Sequence, residues 1–163
     1  MTERQQLILD VLAQLQIAFE RHDHPAVATV TEAQAHWADI DAAHCKNLFL
    51  RNQKGDRHYL VILAAAKRAD LRHVAEQVGD GKLSFASPER MLKYLGVTPG
   101  SVSPFGLIHD EACHVRVYVD RDLFQAERVS FHPNDNTATL VLTCTDFQRF
   151  LAYTGHVVRW IVV

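Results

Sequence analysis

Two apolar runs separated by a short polar turn limit how this chain can fold. Lys46-Asn47-Leu48-Phe49-Leu50-Arg51 and His58-Tyr59-Leu60-Val61-Ile62-Leu63-Ala64 are rich in the side chains that favour extended backbone. Asn52-Gln53-Lys54-Gly55-Asp56-Arg57 between them has the turn chemistry of a hairpin loop. Such strands belong in a core. Yet the first of them opens on a charge, Lys46, and a buried lysine is rare unless something pairs with it. At a strand end its ammonium can reach water along its own stem, or it can point into a cleft and meet an anion.

The remainder of the chain alternates helix and strand signals. Leu7, Ile8, Val11, Leu12 and Leu15 recur at helical spacing, so residues 2–15 read as an amphipathic helix opened by the capping box Thr2-x-x-Gln5. Ile17, Phe19 and Arg21 alternate as a short strand that ends at His22-Asp23-His24-Pro25. Thr31-x-x-Gln34 is expected to cap a helix bearing Ala33, Ala35 and Trp37. Leu71, Val74, Ala75 and Val78 mark a helix stopped at Gly79-Asp80-Gly81, followed by a short strand at 82–85. Ser87-Pro88-Glu89 opens another helix, which Leu95-Gly96 closes. After a loop at 97–109, strands are expected at 114–119, 127–131 and 137–143. A last helix capped by Thr145-x-x-Gln148 ends at Gly155, and a terminal strand covers 156–163. Hairpins outnumber βαβ units, which points to an α+β fold with a mixed sheet.

At 163 residues and 48% hydrophobic content the chain suits one domain, 1–163, with a real core. The formal net charge of −2 argues against a sequence-independent DNA binder, which usually needs a broad basic face, though not against contact with a few phosphates. Cys45, Cys113 and Cys144 are odd in number, widely spaced and without a CxxC, which argues against a disulfide framework or a cysteine zinc site. The ten histidines show neither HExxH nor compact ligand spacing, so no metal is expected. The N-terminus lacks the order of a signal peptide and no apolar run approaches a membrane span, so a cytoplasmic protein without membrane contact is expected.

Two loops carry candidate chemistry. Gly96-Val97-Thr98-Pro99-Gly100-Ser101-Val102-Ser103-Pro104-Phe105-Gly106-Leu107 is a shaped segment that can aim backbone N–H groups at an anion or carbonyl, but it matches neither a P-loop nor a dinucleotide fingerprint. It is equally an ordinary rigid connection. In Ser130-Phe131-His132-Pro133-Asn134-Asp135-Asn136-Thr137, His132 can move a proton or bind substrate, while Asn134 and Asn136 suit an Asx turn. No GxSxG elbow supports a serine triad. Cys45 is the best nucleophile by type, but its neighbours His44 and Lys46 face away from it on a strand.

Three segments together resemble one family: His44-Cys45-Lys46-Asn47-Leu48-Phe49-Leu50-Arg51, the glycine–proline loop from Gly100 to Leu107, and Phe131-His132-Pro133-Asn134-Asp135-Asn136-Thr137-Ala138. The entry segment from His24 to Ala33 also fits. The chain is similar to the YbaK/ProX-type aminoacyl-tRNA editing domains, nearest the free-standing members that remove alanine from proline tRNA. The resemblance implies a barrel-like, mostly antiparallel sheet surrounded by helices, and deacylation of Ala-tRNA(Pro) without a cofactor. It implies the acceptor end of tRNA(Pro) as partner, with prolyl-tRNA synthetase as a second candidate. Lys46 is implied to hold the tRNA 3′ end, Gly100 to begin the loop that shapes the aminoacyl pocket, and His132 to confine the side chain or position water. Asn47 is implied as a supporting donor, and Ser101, Val102, Ser103, Pro104, Phe105 and Gly106 as pocket residues. The alternatives are a tRNA- or nucleotide-binding module of the same fold without chemistry, and a deacylase for Cys or Ser esters.

Overall fold

The expected hairpin is the spine of the fold. In a computed structural model describing residues 1–163, β2 (Ala43–Asn52) and β3 (His58–Ala64) pair antiparallel from Cys45↔Ala64 to Arg51↔His58. The turn closes on Asn52, whose Oδ1 accepts from the backbone N–H groups of Gly55, Asp56 and Arg57. The other strands are β1 (Glu20–Asp23), β4 (Leu83–Phe85), β5 (Arg116–Asp120), β6 (Arg128–Phe131), β7 (Ala138–Thr143) and β8 (Val158–Ile161). The helices are α1 (Glu3–Gln14), α2 (Val30–Trp37), α3 (Leu71–Val78), α4 (Pro88–Leu95) and α5 (Cys144–Thr154).

The strands form one sheet in the order β1-β7-β6-β2-β3-β5-β8, with β4 added to β2. Two expectations are corrected here. The sheet is not barrel-like: β1 and β8 lie at opposite ends of the order. It is also less antiparallel than expected, because β2–β6, β3–β5 and β5–β8 pair in parallel. Each parallel pair joins strands separated by other elements, so the chain has the length a crossover needs; tight turns serve only β2–β3 and β6–β7. The architecture is α+β with a mixed, open sheet.

β3 is buried on both faces, as its unbroken apolar run requires. Leu60 and Ile62 join Phe49, Ile8, Leu12, Phe147 and Phe150 on one side. Tyr59, Val61 and Leu63 join Leu50 and Val74 on the other. The α3 and α4 boundaries follow the sequence signals, with Gly79 and Gly96 as left-handed C-caps. At Gly96 a Cβ would lie 2.6 Å from the His109 ring, so close packing and backbone both require glycine.

Two caps sit two residues earlier than expected. α2 is capped by Thr29, which accepts from Glu32 N, while Glu32 Oε2 accepts from Ala28 N in return. That register buries Ala33 and Trp37 against Val27. Likewise Thr143, not Thr145, caps α5 by accepting from Asp146 N. The first strand begins at Glu20 rather than at Ile17, which is buried in the core while Glu20–Asp23 pair with β7. The 97–109 loop holds a 3-10 turn, Pro104–His109, capped by Ser103 Oγ on Phe105 N. No helix is long and apolar enough to cross a membrane.

Candidate active site

The site grows out of a gap along one edge of β2. On that edge β2 pairs with β6 at residues 43–44 and with β4 at 50–52, leaving the stretch between without a strand neighbour. His44 O accepts from Ala65 N on the β3 side, whereas Phe49 O accepts from Ala86 N on the other. Strand alternation therefore turns the backbone of Asn47, like that of Phe49, toward the gap. A cavity of about 260 Å³ opens there. Its wall comes from β2 (Cys45 to Phe49), the segment leading into α2 (Val27 to Val30, with Ala33 and Trp37), Phe85, Met91, Gly100, Val102 and His132.

Lys46, Asn47, Gly100, Val102 and His132, from three distant segments, thus meet at one cavity. Lys46 is its only charged lining residue; it is half-buried, and its ammonium donates to Lys67 O. Burial lowers its pKa. The Lys67 carbonyl belongs to a segment held in place by Lys67 Nζ, which donates to Asp120 at 2.9 Å and to Asp122 at 2.7 Å. An anion entering the cavity would give the Lys46 ammonium the counter-charge that it lacks in the protein.

His132 lies at the end of β6, where the chain turns to β7. Its Nδ1 donates to Ala138 O at 2.8 Å, which leaves Nε2 as the unprotonated nitrogen of the neutral ring. Burial pushes its pKa down, so the neutral ring is the form present near neutrality. His24 packs edge-on against it, at 5.7 Å between centroids.

Gly100 has a φ of +87°, open to glycine at little cost, and a Cβ there would press toward Asn136 Nδ2 at 3.4 Å and Ala28 Cα at 3.7 Å. Asn136 in turn donates to Val27 O at 2.6 Å, so the glycine loop, the α2 entry and the His132 loop are fastened together. Along the glycine loop, Ser101 N is taken by Thr98 O, Phe105 N by Ser103 Oγ and Gly106 N by Ser103 O. The N–H groups of Gly100 and Val102 donate to no protein acceptor.

The other residues expected to bind substrate stand behind the wall rather than in it. Ser101, Ser103, Pro104, Phe105 and Gly106 are buried and do not line the cavity. Phe105 packs edge-on against Phe131 and Phe150, and a Cβ on Gly106 would meet Leu95 O at 2.8 Å. They hold the loop in position through the core. Cys45 is buried and its thiol pKa is pushed far up by desolvation, so it is held as the thiol and is no nucleophile. No group of three or more His, Cys, Asp or Glu side chains is placed to hold a metal ion.

Trp37 joins the site although nothing in the sequence marks it for one. Its indole stacks flat on His44, at 4.5 Å and 3°, and lines the cavity. In the sequence it reads only as the apolar face of α2. Val27, Phe85 and Met91 carry no sequence signal of the site for the same reason: each reaches the cavity through tertiary packing.

Residues 24–150 match the model of the aminoacyl-tRNA editing domain. The chain is 38% identical over 156 residues to prolyl-tRNA editing protein ProX of Acetoanaerobium sticklandii, covering 94% of each chain. It is 38% identical over 149 residues to prolyl-tRNA synthetase associated domain-containing protein 1 of Bos taurus, covering 89% of this chain and 86% of that one. Over 95 residues, 58% of this chain and 54% of the other, it is 28% identical to the multifunctional Ser/Thr-tRNA deacylase ProXp-y of Escherichia coli. A crystal structure described as a candidate trans-editing enzyme for prolyl tRNA synthetase superposes with a TM-score of 0.73 at 24% identity, covering 100% of this chain and 99% of that one. The chain belongs to the aminoacyl-tRNA editing domain family.

Proposed function

We propose that this protein hydrolyses the ester of mischarged aminoacyl-tRNA in trans, with alanine on proline tRNA as its principal substrate. The observation that carries this reading is the convergence on one cavity of a lone cation, two unengaged backbone donors and a neutral histidine. That set suits an activated ester, which needs orientation, a place for the oxyanion and a water, but no protein nucleophile.

Lys46 meets the phosphate or ribose end of the terminal nucleotide. The N–H groups of Gly100 and Val102 are the candidates for the carbonyl oxygen as it gains charge, where one donor contributes ~3–4 kcal/mol. Holding ester and water in line contributes several kcal/mol more. Nucleophilic attack forms the new C–O bond, and the ribose oxygen leaves carrying the proton the water loses. The cavity, about 260 Å³, is below the usual range of roughly 300–1,000 Å³ for a drug-sized ligand, so it takes the aminoacyl end rather than a whole nucleotide. Val27, Val102 and His132 bound it, so a small side chain is admitted and a bulkier one is turned away by contact, as in the second sieve of editing.

The relative named for prolyl-tRNA editing favours proline tRNA as the carrier, the small cavity favours alanine as its load, and the relative named for association with prolyl-tRNA synthetase makes that enzyme a second candidate partner. The relative named as a Ser/Thr-tRNA deacylase favours hydroxylated side chains as an alternative, and the buried Asn47 Oδ1, free of protein partners, could accept from such a hydroxyl. A panel of Ala-, Ser-, Cys- and Pro-charged tRNA(Pro) separates these. Wild type should release alanine fastest and leave the proline ester intact. Lys46→Ala should lose deacylation by about 10²-fold or more while keeping its circular dichroism, since the anion contact is removed. Unchanged turnover in that variant would overturn the assignment of Lys46. Binding of tRNA without hydrolysis of any ester would turn the reading to the non-catalytic module.

A further inference from the structure

A small niche lies beside the main cavity, with about 10 Å³ of room, roughly what one water requires. Trp37, Cys45, Asn47 and His132 line both spaces; Ser130, Phe131 and Thr139 complete the niche. Two atoms of this wall are buried without a hydrogen-bond partner in the protein: Trp37 Nε1, a donor, and Asn47 Oδ1, an acceptor. Orphaned buried groups are uncommon, and two of opposite chemistry around one niche mark a ligand with both functions.

The remaining polar groups fix the count. His132 Nδ1 donates to Ala138 O, so its Nε2 is a second acceptor. His44 Nε2 donates to Ile40 O, so its Nδ1 accepts from Ser130 Oγ at 2.6 Å. His24 Nδ1 donates to Pro25 O, so its Nε2 accepts from Thr139 Oγ1 at 2.9 Å. Both hydroxyl protons are therefore committed, and the indole N–H is the buried donor of the niche residues that has no partner in the protein. One N–H facing two acceptors matches a water that receives from Trp37 and gives to Asn47 and His132.

We propose that this niche binds the hydrolytic water, and that Trp37 is a water-holding residue of the reaction. This rests on the deacylase reading and adds to it the origin of the nucleophile. In that position both water protons are engaged by acceptors, which leaves an oxygen lone pair for an ester carbonyl in the adjoining cavity. The oxygen forms the bond to the carbonyl carbon, the bond to the ribose oxygen breaks, and the proton given up by water ends on that oxygen. The stack of Trp37 on His44 holds the indole plane, and with it the direction of the N–H.

The test is Trp37→Phe, which keeps an aromatic ring over His44 and deletes the donor with the rest of the pyrrole ring, beside Trp37→Leu, which deletes donor and aromatic ring alike. In Trp37→Phe, kcat for Ala-tRNA(Pro) should fall about 10-fold or more with KM unchanged, and an ordered water within hydrogen-bond distance of Trp37 Nε1 and Asn47 Oδ1 in wild-type crystals should be lost. Trp37→Leu should lose as much in kcat and also unfold at lower temperature, so the donor's part is the kcat loss the two variants share and the packing part is the stability loss they do not. A dry niche in an active wild type, or a Trp37→Phe variant with wild-type kcat, overturns the proposal. An ordered water in a wild type that hydrolyses no ester overturns the deacylase reading together with the water's hydrolytic role.

Discussion

His58 shows how a single residue can be legible in kind and illegible in role. Its run marks it as a strand residue, and it is indeed fully buried at the start of β3. There Arg90 donates to its Nε2 at 2.8 Å and its Nδ1 meets His114 Nε2 at 2.8 Å, with Tyr94 against both rings. Burial first, then the neighbouring His114, Arg90, Lys93 and Arg51, depress its pKa from 6.5 to about 4. The folded protein holds this ring neutral while the unfolded chain takes up a proton below the ordinary value. Stability contributed here is present above 6.5 and is lost as pH falls toward 4, by at most ~1.4 kcal/mol per pH unit. Urea titrations across this window should show the midpoint falling with pH, and His58→Gln should flatten that slope. Some slope should persist, because His44, His109 and His132 are also held below their usual pKa by burial. A slope unchanged by the substitution would place the effect elsewhere. Lys46 was conspicuous for the opposite reason: its charge conflicts with its strand, and such a conflict is visible without coordinates.

Among the elements, α2 depends most on its own ends. It has eight residues, buries only Ala33 and Trp37, and joins a small cluster with Val27 rather than the main core. A helix this short has little stability apart from caps and packing. Thr29→Ala removes the acceptor for Glu32 N and should cost ~0.5–2 kcal/mol, felt first by the helix itself. Hydrogen exchange of the α2 amides should quicken while β3 amides stay protected; equal acceleration of both would mean that α2 opens only with the whole protein. The shifted cap of α2 has a simple cause. Both Thr29 and Thr31 are followed three residues later by a Glu or Gln, so local chemistry allows either start. Burial of Trp37 decides between them. Where signals did not compete, as at Ser87-Pro88 and at Gly79, the sequence reading and the structure agree.

For the whole molecule, the formal net charge of −2 and a cavity with one cation limit how tRNA can be held. Contact with two or three phosphates of a single-stranded 3′ end gives a slope of log K against log salt of roughly −2 or shallower. Binding of an uncharged tRNA measured from low to moderate salt should follow that slope; a value several times steeper would require a broad phosphate-binding face. The amino-acid sequence by itself determined the elements, the α+β class, the family motifs and the oddity of Lys46, because periodicity, turn chemistry and charge conflict are local properties. Tertiary structure alone decided the parallel pairing of β2 with β6, and with it the open edge between β6 and β4 where the cavity forms. It decided that Ser103, Phe105 and Gly106 support the loop from the core while Gly100 and Val102 face the cavity, and that Trp37 brings an N–H there. Residues far apart in the chain share no local signal of their meeting; which atoms remain unpaired is settled only when the whole chain has packed.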